Sequence, residues 1–263
     1  MEVKRVETLS QYLEYINKMT QEGYLFFRGQ DSYKEHKLLP SLLRENESGR
    51  KLYSTTCDKV FLNTFKSRAR SYLKFVPQND IEWMSTAQHY GLPTRLLDWS
   101  QSPLIALFFA IENTEYQYKD SEDNPVVWCL NPVALNEKLR FIDDYNIIPN
   151  IIEKNDRFDS ALNEKYGIGV YLPEVIHPVA LICPVSNNRI NVQKGVFTLF
   201  PLNCQPLESF NDIENILFKI VIDRDSKALI KKQLFESGLT YSNIYPELDY
   251  ICKDIKFEYE KNI

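Results

Sequence analysis

An unbroken apolar run, Pro103–Ile111, constrains the fold of this chain more than any other feature. Its length and composition predict a helix that is buried on all sides, with proline in the first turn and Ser100 or Ser102 as the cap. The free N–H groups and the positive dipole end of such a helix favour an anion. A pocket wall is therefore expected where this helix begins.

The segment before this helix, residues 87–100, places polar, charged and aromatic side chains beside a Gly-Leu-Pro turn. His89 is expected in the last turn of a helix over residues 81–90, where it either acts as an acid or base or caps helix carbonyls. Arg95 has a planar fork that suits phosphate, and a surface salt bridge is the alternative. Trp99 is either a core residue or a stacking platform.

A second signal lies earlier, where the aromatic stretch over residues 24–27 continues into Arg28-Gly29-Gln30. This pattern predicts a strand that ends by presenting an arginine beside a glycine. Two interpretations of Arg28 stay open. It contacts a ligand, or it braces the domain by pairing with Asp98 or with a carbonyl, because a buried arginine must be hydrogen-bonded.

A third signal covers residues 189–197, where Arg189 and Gln193 alternate with apolar side chains ahead of a glycine. On a strand, this alternation directs both polar side chains to one face. We expect that face to be the cleft rather than the core.

These three motifs, the Phe-Arg-Gly triplet at residues 27–29, the segment 87–100 with its apolar helix, and the segment 189–197, occur in the order found in the FRG domain family. The chain resembles that family over roughly residues 20–200. The family is chiefly a bacterial and phage-associated domain, so the resemblance implies a bacterial or phage conflict setting. It names no reaction by itself.

The layout also resembles the split sheet of ADP-ribosyltransferases, which implies a nucleotide cleft and NAD as the cofactor. By that resemblance Arg28 grips the nucleotide, Ser100 supports the cleft, and Gln193 stands where a glutamate usually orients the nicotinamide ribose. A glutamine can donate and accept hydrogen bonds but lacks the charge that steadies an oxocarbenium-like transition state. We hypothesise that Asp98 supplies the missing carboxylate from a neighbouring loop.

The candidate residues form two groups. The catalytic candidates are His89, Asp98 and Gln193. The cofactor-binding candidates are Arg28, Gly29, Gln30, Arg95, Ser100 and Arg189. No metal site is indicated.

Two functions follow, and the sequence leaves open whether the protein is an enzyme. The first is an enzyme that transfers a glycosyl group from NAD to a protein, nucleic-acid or small-molecule acceptor. The second is a non-catalytic module that senses a nucleotide or holds a partner in the same cleft.

Composition and pattern give the fold class. The 263 residues are 44% hydrophobic and 25% charged with a net charge of −5, which suits one domain over residues 1–263. Strand-like and helix-like segments are interspersed, so we predict an α+β fold with a mixed, largely antiparallel sheet flanked by helices. Residues 140–175 are less patterned and are the candidate for an insertion or a mobile flap.

The remaining features concern the cellular setting. Five cysteines without Cys-x-x-Cys spacing favour a reducing compartment, and no apolar run approaches the length that crosses a bilayer. We expect a cytoplasmic protein without a membrane partner. The basic residues at 66–74 are interpreted as a solvated helix face, and the oligomeric state stays open.

Overall fold

The computed structural model describes residues 4–260 except 114–116, 119, 121, 140–147, 149–156, 185–187 and 212. Its strands are β1 (Lys4–Val6), β2 (Phe26–Gln30), β3 (Leu96–Ser100), β4 (Val126–Leu130), β5 (Val179–Leu181), β6 (Gly195–Leu199) and β7 (Leu217–Ile222). Its helices are α1 (Leu9–Gln21), α2 (Cys57–Ala69), α3 (Asp80–His89), α4 (Pro103–Ile111), α5 (Pro132–Leu139), α6 (Arg157–Tyr166), α7 (Asn188–Val192), α8 (Lys227–Glu236) and α9 (Leu248–Glu260). Of the flap predicted at 140–175, residues 140–147 and 149–156 lie outside the described residues, and the described part includes α6.

The strands form one sheet in the order β1-β7-β4-β2-β3-β6-β5. Only the pair β1–β7 is parallel, and the other neighbours run antiparallel. The sheet is open, and helices flank it. This confirms the predicted α+β class and the mixed, largely antiparallel sheet.

Helix α4 forms where the apolar run predicts it. The Ser102 hydroxyl caps it by accepting from the Ile105 N–H at 3.5 Å, and Pro103 occupies its first position. The helix packs directly on β2 at Gly29, where a Cβ atom would lie 1.9 Å from the main-chain oxygen of Ala106. Only glycine allows this close approach of helix and strand.

The buried apolar side chains form three clusters. The first packs α1, α4 and α8 on one face of the sheet, and it includes Tyr12, Phe27 and Phe108. The second covers the opposite face. The third lies under α3 and α6 at the end of the sheet that β6 and β5 form. Neighbouring residues along a strand therefore contribute to different clusters, as strand alternation requires.

Two local predictions are wrong. Asp98 lies in the strand β3 instead of a loop, because this central strand is buried on both faces and Asp98 alone among its residues is exposed. Residues 188–192 form the short helix α7 instead of a strand, and the strand begins only at Gly195. Lys194, with a φ of 48°, turns the chain between the two.

Two kinds of feature are absent from the described residues, a membrane-spanning helix and a metal-binding cluster. No helix there combines the length and the apolar composition that crossing a bilayer needs. No group of three or more His, Cys, Asp or Glu side chains in the same residues is arranged to hold a metal ion.

Candidate functional site

The sheet opens between its two central strands. Strands β2 and β3 pair at a single register position, Phe27 with Ser100, whereas each pairs along its whole length with its other neighbour. The Arg95 carbonyl faces β6, so by strand alternation the Asp98 carbonyl faces β2. Beyond the single pair, Arg28 fills the gap, and its Nη1 donates to that Asp98 oxygen at 2.6 Å.

Small and polar residues lie among aromatic ones around the opening. Residues paired across antiparallel strands share a sheet face, so Phe27, Ser100 and Gly195 lie in one row, and Asp98 lies beside Phe197 in the next. Large apolar side chains fill this face on either side, under α4 and under α3. A cleft is therefore left between the two apolar clusters.

The cleft consists of two adjoining hollows, of about 310 and 160 Å³. Five residues line both of them: Asp98, Arg189, Ile190, Gln193 and Phe197. Arg28, Gly29, Trp99 and Ser100 line the larger hollow, and His89 lines the smaller one. The structure thus brings side chains from all three sequence motifs to one cleft.

One nitrogen of the Arg28 guanidinium is hydrogen-bonded in this cleft, and another is not. Its Nη1 holds the Asp98 carbonyl, while its buried Nε–H has no hydrogen-bond partner among the described residues. Burial lowers the pKa of the guanidinium, with Asp98 acting in the opposite direction. An unpaired buried donor on a cation costs free energy unless a ligand accepts from it.

Asp98 is exposed to solvent in the cleft and yet closely surrounded by protein. Loss of hydration raises the pKa of its carboxyl, and Arg28 and a hydrogen bond from Gln88 act in the opposite direction. A carboxyl group in a cleft whose pKa is shifted by loss of hydration and by a charged partner is a typical feature of a functional site.

His89 is the last residue of α3, as the sequence predicts. Loss of hydration lowers the pKa of its imidazole, and the positive charge of Arg189 lowers it further. The ring is therefore neutral at neutral pH and able to accept a proton. The Tyr90 ring packs against it edge-on, with centroids 4.9 Å apart.

Arg189 and Gln193 reach the cleft from a helical turn instead of a strand. The Gln193 N–H donates to the Arg189 carbonyl at 2.9 Å, so the two side chains lie one turn apart on the same side. The Gln193 Nε2 donates to the Ile244 carbonyl at 3.2 Å. The Arg189 guanidinium lies over the Tyr245 ring, 4.9 Å from its centre. No local sequence pattern indicates this support from residues 244–245.

Ser100 joins β3 to the end of α7. Its hydroxyl donates to the Gln193 carbonyl at 2.7 Å and accepts from the Ser102 N–H at 2.9 Å. The Ser100 side chain thus links the residues at the floor of the cleft, and its proton is committed to the Gln193 carbonyl.

With this geometry in place, comparison with protein families gives one result: the model described as FRG domain matches residues 23–119. The chain is similar to the FRG domain over this segment. Neither the curated proteins nor the solved structures contain a match to the chain. The FRG match is shorter than the core of residues 20–200 that we expected, and it includes β2, α3, β3 and α4. Arg189 and Gln193 complete the cleft from beyond the matched segment.

Arg95, inside the matched segment, is not positioned to bind phosphate, which corrects the sequence prediction. The side chain is completely buried, and its Nε donates to the Asp58 carboxylate at 2.9 Å. Its Nη1 donates to the Phe200 carbonyl at 2.8 Å, and its Nη2 donates to the carbonyls of Tyr166 and Gly167 at 2.7 and 3.1 Å. These bonds use the guanidinium to tie α2, β3 and the end of α6 together.

Gln30 also lies outside the cleft. Its buried Oε1 accepts from the Trp128 Nε1 at 2.7 Å, across the pair β2–β4. Trp99 is a core residue whose Nε1 donates to the Thr198 hydroxyl at 3.0 Å. Gly29 lines the cleft, and the close packing of α4 gives it a structural role as well.

Proposed function

We propose that the cleft binds a nucleotide, with NAD as the first candidate. One observation carries the proposal: Arg28, His89, Asp98, Arg189 and Gln193, which are distant in sequence, line one solvent-accessible cleft at the opening of the sheet. Packing alone does not require two arginines, a carboxylate and a histidine to meet at a surface.

The two arginines support recognition of phosphate. A guanidinium offers a planar fork of donors that matches phosphate oxygens. Arg28 keeps a buried Nε–H without a partner among the residues described, which fits an anion that the protein itself does not supply. A hollow of about 310 Å³ lies at the lower end of the range for small-molecule sites, and it suits one half of a dinucleotide.

The other side chains suit glycosyl transfer of the ADP-ribosyltransferase kind. NAD would supply a glycosidic bond between nicotinamide and ribose. Asp98 offers the negative charge that Gln193 lacks, and it lies beside Gln193 in both hollows. Negative charge at this place would stabilise developing positive charge on the ribose. Neutral His89 would accept a proton from a protein, nucleic-acid or small-molecule acceptor.

A specific observation also supports the second candidate, a non-catalytic nucleotide sensor. Gln193 has no charge, and its Nε2 is already bonded to the Ile244 carbonyl. In that case the cleft would hold the nucleotide without breaking it, in the bacterial or phage conflict setting that the resemblance implies.

The experiment is incubation of the purified chain with NAD, with nicotinamide release followed over time. If the protein is an enzyme, it should release nicotinamide. Asp98→Asn should then reduce the rate of release by at least about a hundredfold, the usual scale for loss of one electrostatic contact in a transition state. Asp225→Asn, which changes a largely exposed carboxylate elsewhere, is the matched control. Thermal stabilisation by NAD without release supports the sensor. Neither release nor stabilisation would overturn both forms of the proposal.

A further inference from the structure

The smaller of the two hollows contains a serine that none of the three sequence motifs includes. Ser85 lies in the middle of α3 and lines this hollow, and only 3% of its surface is exposed. Its Oγ has no hydrogen-bond partner among the described residues. A buried hydroxyl without a partner costs free energy unless a bound molecule completes its hydrogen bonding.

The next residue of the helix provides a direct comparison. The Thr86 hydroxyl is also buried, and it donates to the Glu82 carbonyl one turn earlier at 2.8 Å. This is a common bond of a serine or threonine inside a helix. Ser85 makes no such bond. Its hydroxyl therefore keeps both its proton and its lone pairs for a group that enters the hollow.

Polar side chains dominate the wall of the smaller hollow. Of the eight described residues that line it, only Ile190 and Phe197 are apolar. The polar ones are Ser85, Gln88, His89, Asp98, Arg189 and Gln193. Those from α3 are three and four residues apart, so the helix presents them on one side. The hollow thus offers many hydrogen bonds within a small volume.

Gln88 is fixed by two contacts that leave Asp98 able to accept more hydrogen bonds. The Thr94 hydroxyl donates to the Gln88 Oε1. The Gln88 side chain in turn hydrogen-bonds the Asp98 carboxylate. A carboxylate has about four lone-pair sites on its two oxygens. The bond from Gln88 therefore leaves acceptor sites for a ligand.

The charges in the hollow select an uncharged ligand. The Asp98 carboxylate repels an anion, the Arg189 guanidinium repels a cation, and both line the hollow. A hydroxyl group suits this pair because it donates to one and accepts from the other. The volume of about 160 Å³ equals that of about five water molecules at ~30 Å³ each, which suits one sugar ring and excludes a whole nucleoside.

We propose that the smaller hollow binds a sugar ring attached to the phosphates of the nucleotide, with Ser85 as one of its contacts. This assignment rests on the proposed nucleotide site and narrows its ligand to a nucleoside diphosphate that carries a sugar. The phosphates lie in the larger hollow, which Arg28 lines. Asp98 and Gln193 line both hollows, so phosphate and sugar meet beside them.

Calorimetric titration with two ligands of equal charge tests this assignment. ADP-ribose carries a sugar on its second phosphate, whereas the β-methyl ester of ADP carries a methyl group there. We expect the chain to bind ADP-ribose at least about tenfold more tightly than the ester, because only the sugar makes hydrogen bonds in the smaller hollow.

Ser85→Ala should weaken binding of ADP-ribose about three- to tenfold, the scale of one neutral hydrogen bond, and leave binding of the methyl ester unchanged. Thr86→Val is the matched control. It removes the neighbouring buried hydroxyl, which lines neither hollow, and should bind both ligands as wild type. An equal loss of both ligands in Ser85→Ala would show that its hydroxyl does not contact the sugar.

The thermal stability of Ser85→Ala separates a ligand contact from a structural role. The substitution removes no side-chain hydrogen bond within the described residues, so its Tm without ligand should be at least that of wild type. A lower Tm would assign the hydroxyl to the fold. Equal wild-type affinities for the two ligands would overturn the sugar subsite and leave the nucleotide site standing. No binding of either ligand to the folded chain would contradict both.

Discussion

Arg28 donates from Nη1 to the main-chain oxygen of Asp98 at 2.6 Å, across the opening between β2 and β3. The bond replaces a strand-to-strand hydrogen bond that the diverging backbones cannot make. The same guanidinium keeps its buried Nε–H unpaired among the described residues. The two interpretations of Arg28 are thus compatible, since one part of the side chain braces the sheet and another part is available to a ligand.

Asp98→Asn should stabilise the fold at neutral pH. Loss of hydration in the cleft raises the pKa of the Asp98 carboxyl, so the fold loses stability as the pH rises from the unfolded-state pKa to the folded-state pKa. The neutral amide avoids that cost, and we expect a higher Tm at pH 7. At pH 3, below the ordinary aspartate pKa of about 3.9, the advantage should largely disappear. A lower Tm for Asp98→Asn at pH 7, with Asp225→Asn unchanged, would contradict this assignment.

Arg189→Gln should raise the pKa of His89. The positive charge of Arg189 opposes protonation of the imidazole, and its removal leaves loss of hydration as the main cause that lowers the pKa. The measurement is an NMR pH titration of the imidazole signals. An unchanged His89 titration would show that the two side chains do not interact.

Asp58→Ala should destabilise the fold severely. The change leaves the Arg95 guanidinium buried without its carboxylate, and breaking a buried ion pair from one side costs about 3–5 kcal/mol. Urea denaturation measures the free energy of unfolding. Glu22→Ala removes one partner of an exposed pair with Lys18 and should cost about 0.5 kcal/mol or less. Equal effects of the two substitutions would show that Arg95 does not need its partner.

Gly29→Ala should destabilise through packing. The new Cβ would lie 1.9 Å from the Ala106 oxygen and 2.6 Å from the Ala110 nitrogen, both main-chain atoms of α4, so the helix must move. Overpacking of this kind costs about 1–3 kcal/mol or more. Gly49→Ala is the control, because a Cβ there meets nothing within 4 Å and costs only about 1 kcal/mol for its φ of 72°. Equal losses would mean that α4 adapts without strain.

Local pattern predicted much of the fold. The apolar composition of residues 103–111 and the serine before them are sufficient for α4 and its cap. A strand at the Phe-Arg-Gly triplet and the end of α3 at His89 were predicted for similar reasons, although β2 begins at Phe26 and places Arg28 in its middle instead of at its end. These features depend on neighbouring residues, so the sequence specifies them directly.

The environment of Arg95 could not be predicted in this way. Its partners Asp58, Tyr166 and Phe200 lie 37 to 105 residues away, and only the folded chain brings them together. Arg189 and Gln193 show a different limit. A spacing of four residues directs two side chains to one side in a strand and in a helix alike, so the wrong element still predicted the correct face. The support from residues 244–245 comes from another part of the chain.

The most direct test of the cleft as a nucleotide site is calorimetric titration with ADP-ribose, which tests binding without glycosyl transfer. We expect the wild-type chain to bind, and Arg28→Gln and Arg189→Gln each to weaken binding by at least about tenfold, since each removes a charge-assisted hydrogen bond worth about 1.5–3 kcal/mol. Arg224→Gln, outside the cleft, should bind as wild type. No measurable binding to the folded wild-type chain, or equal binding by all four proteins, would contradict a nucleotide site in this cleft.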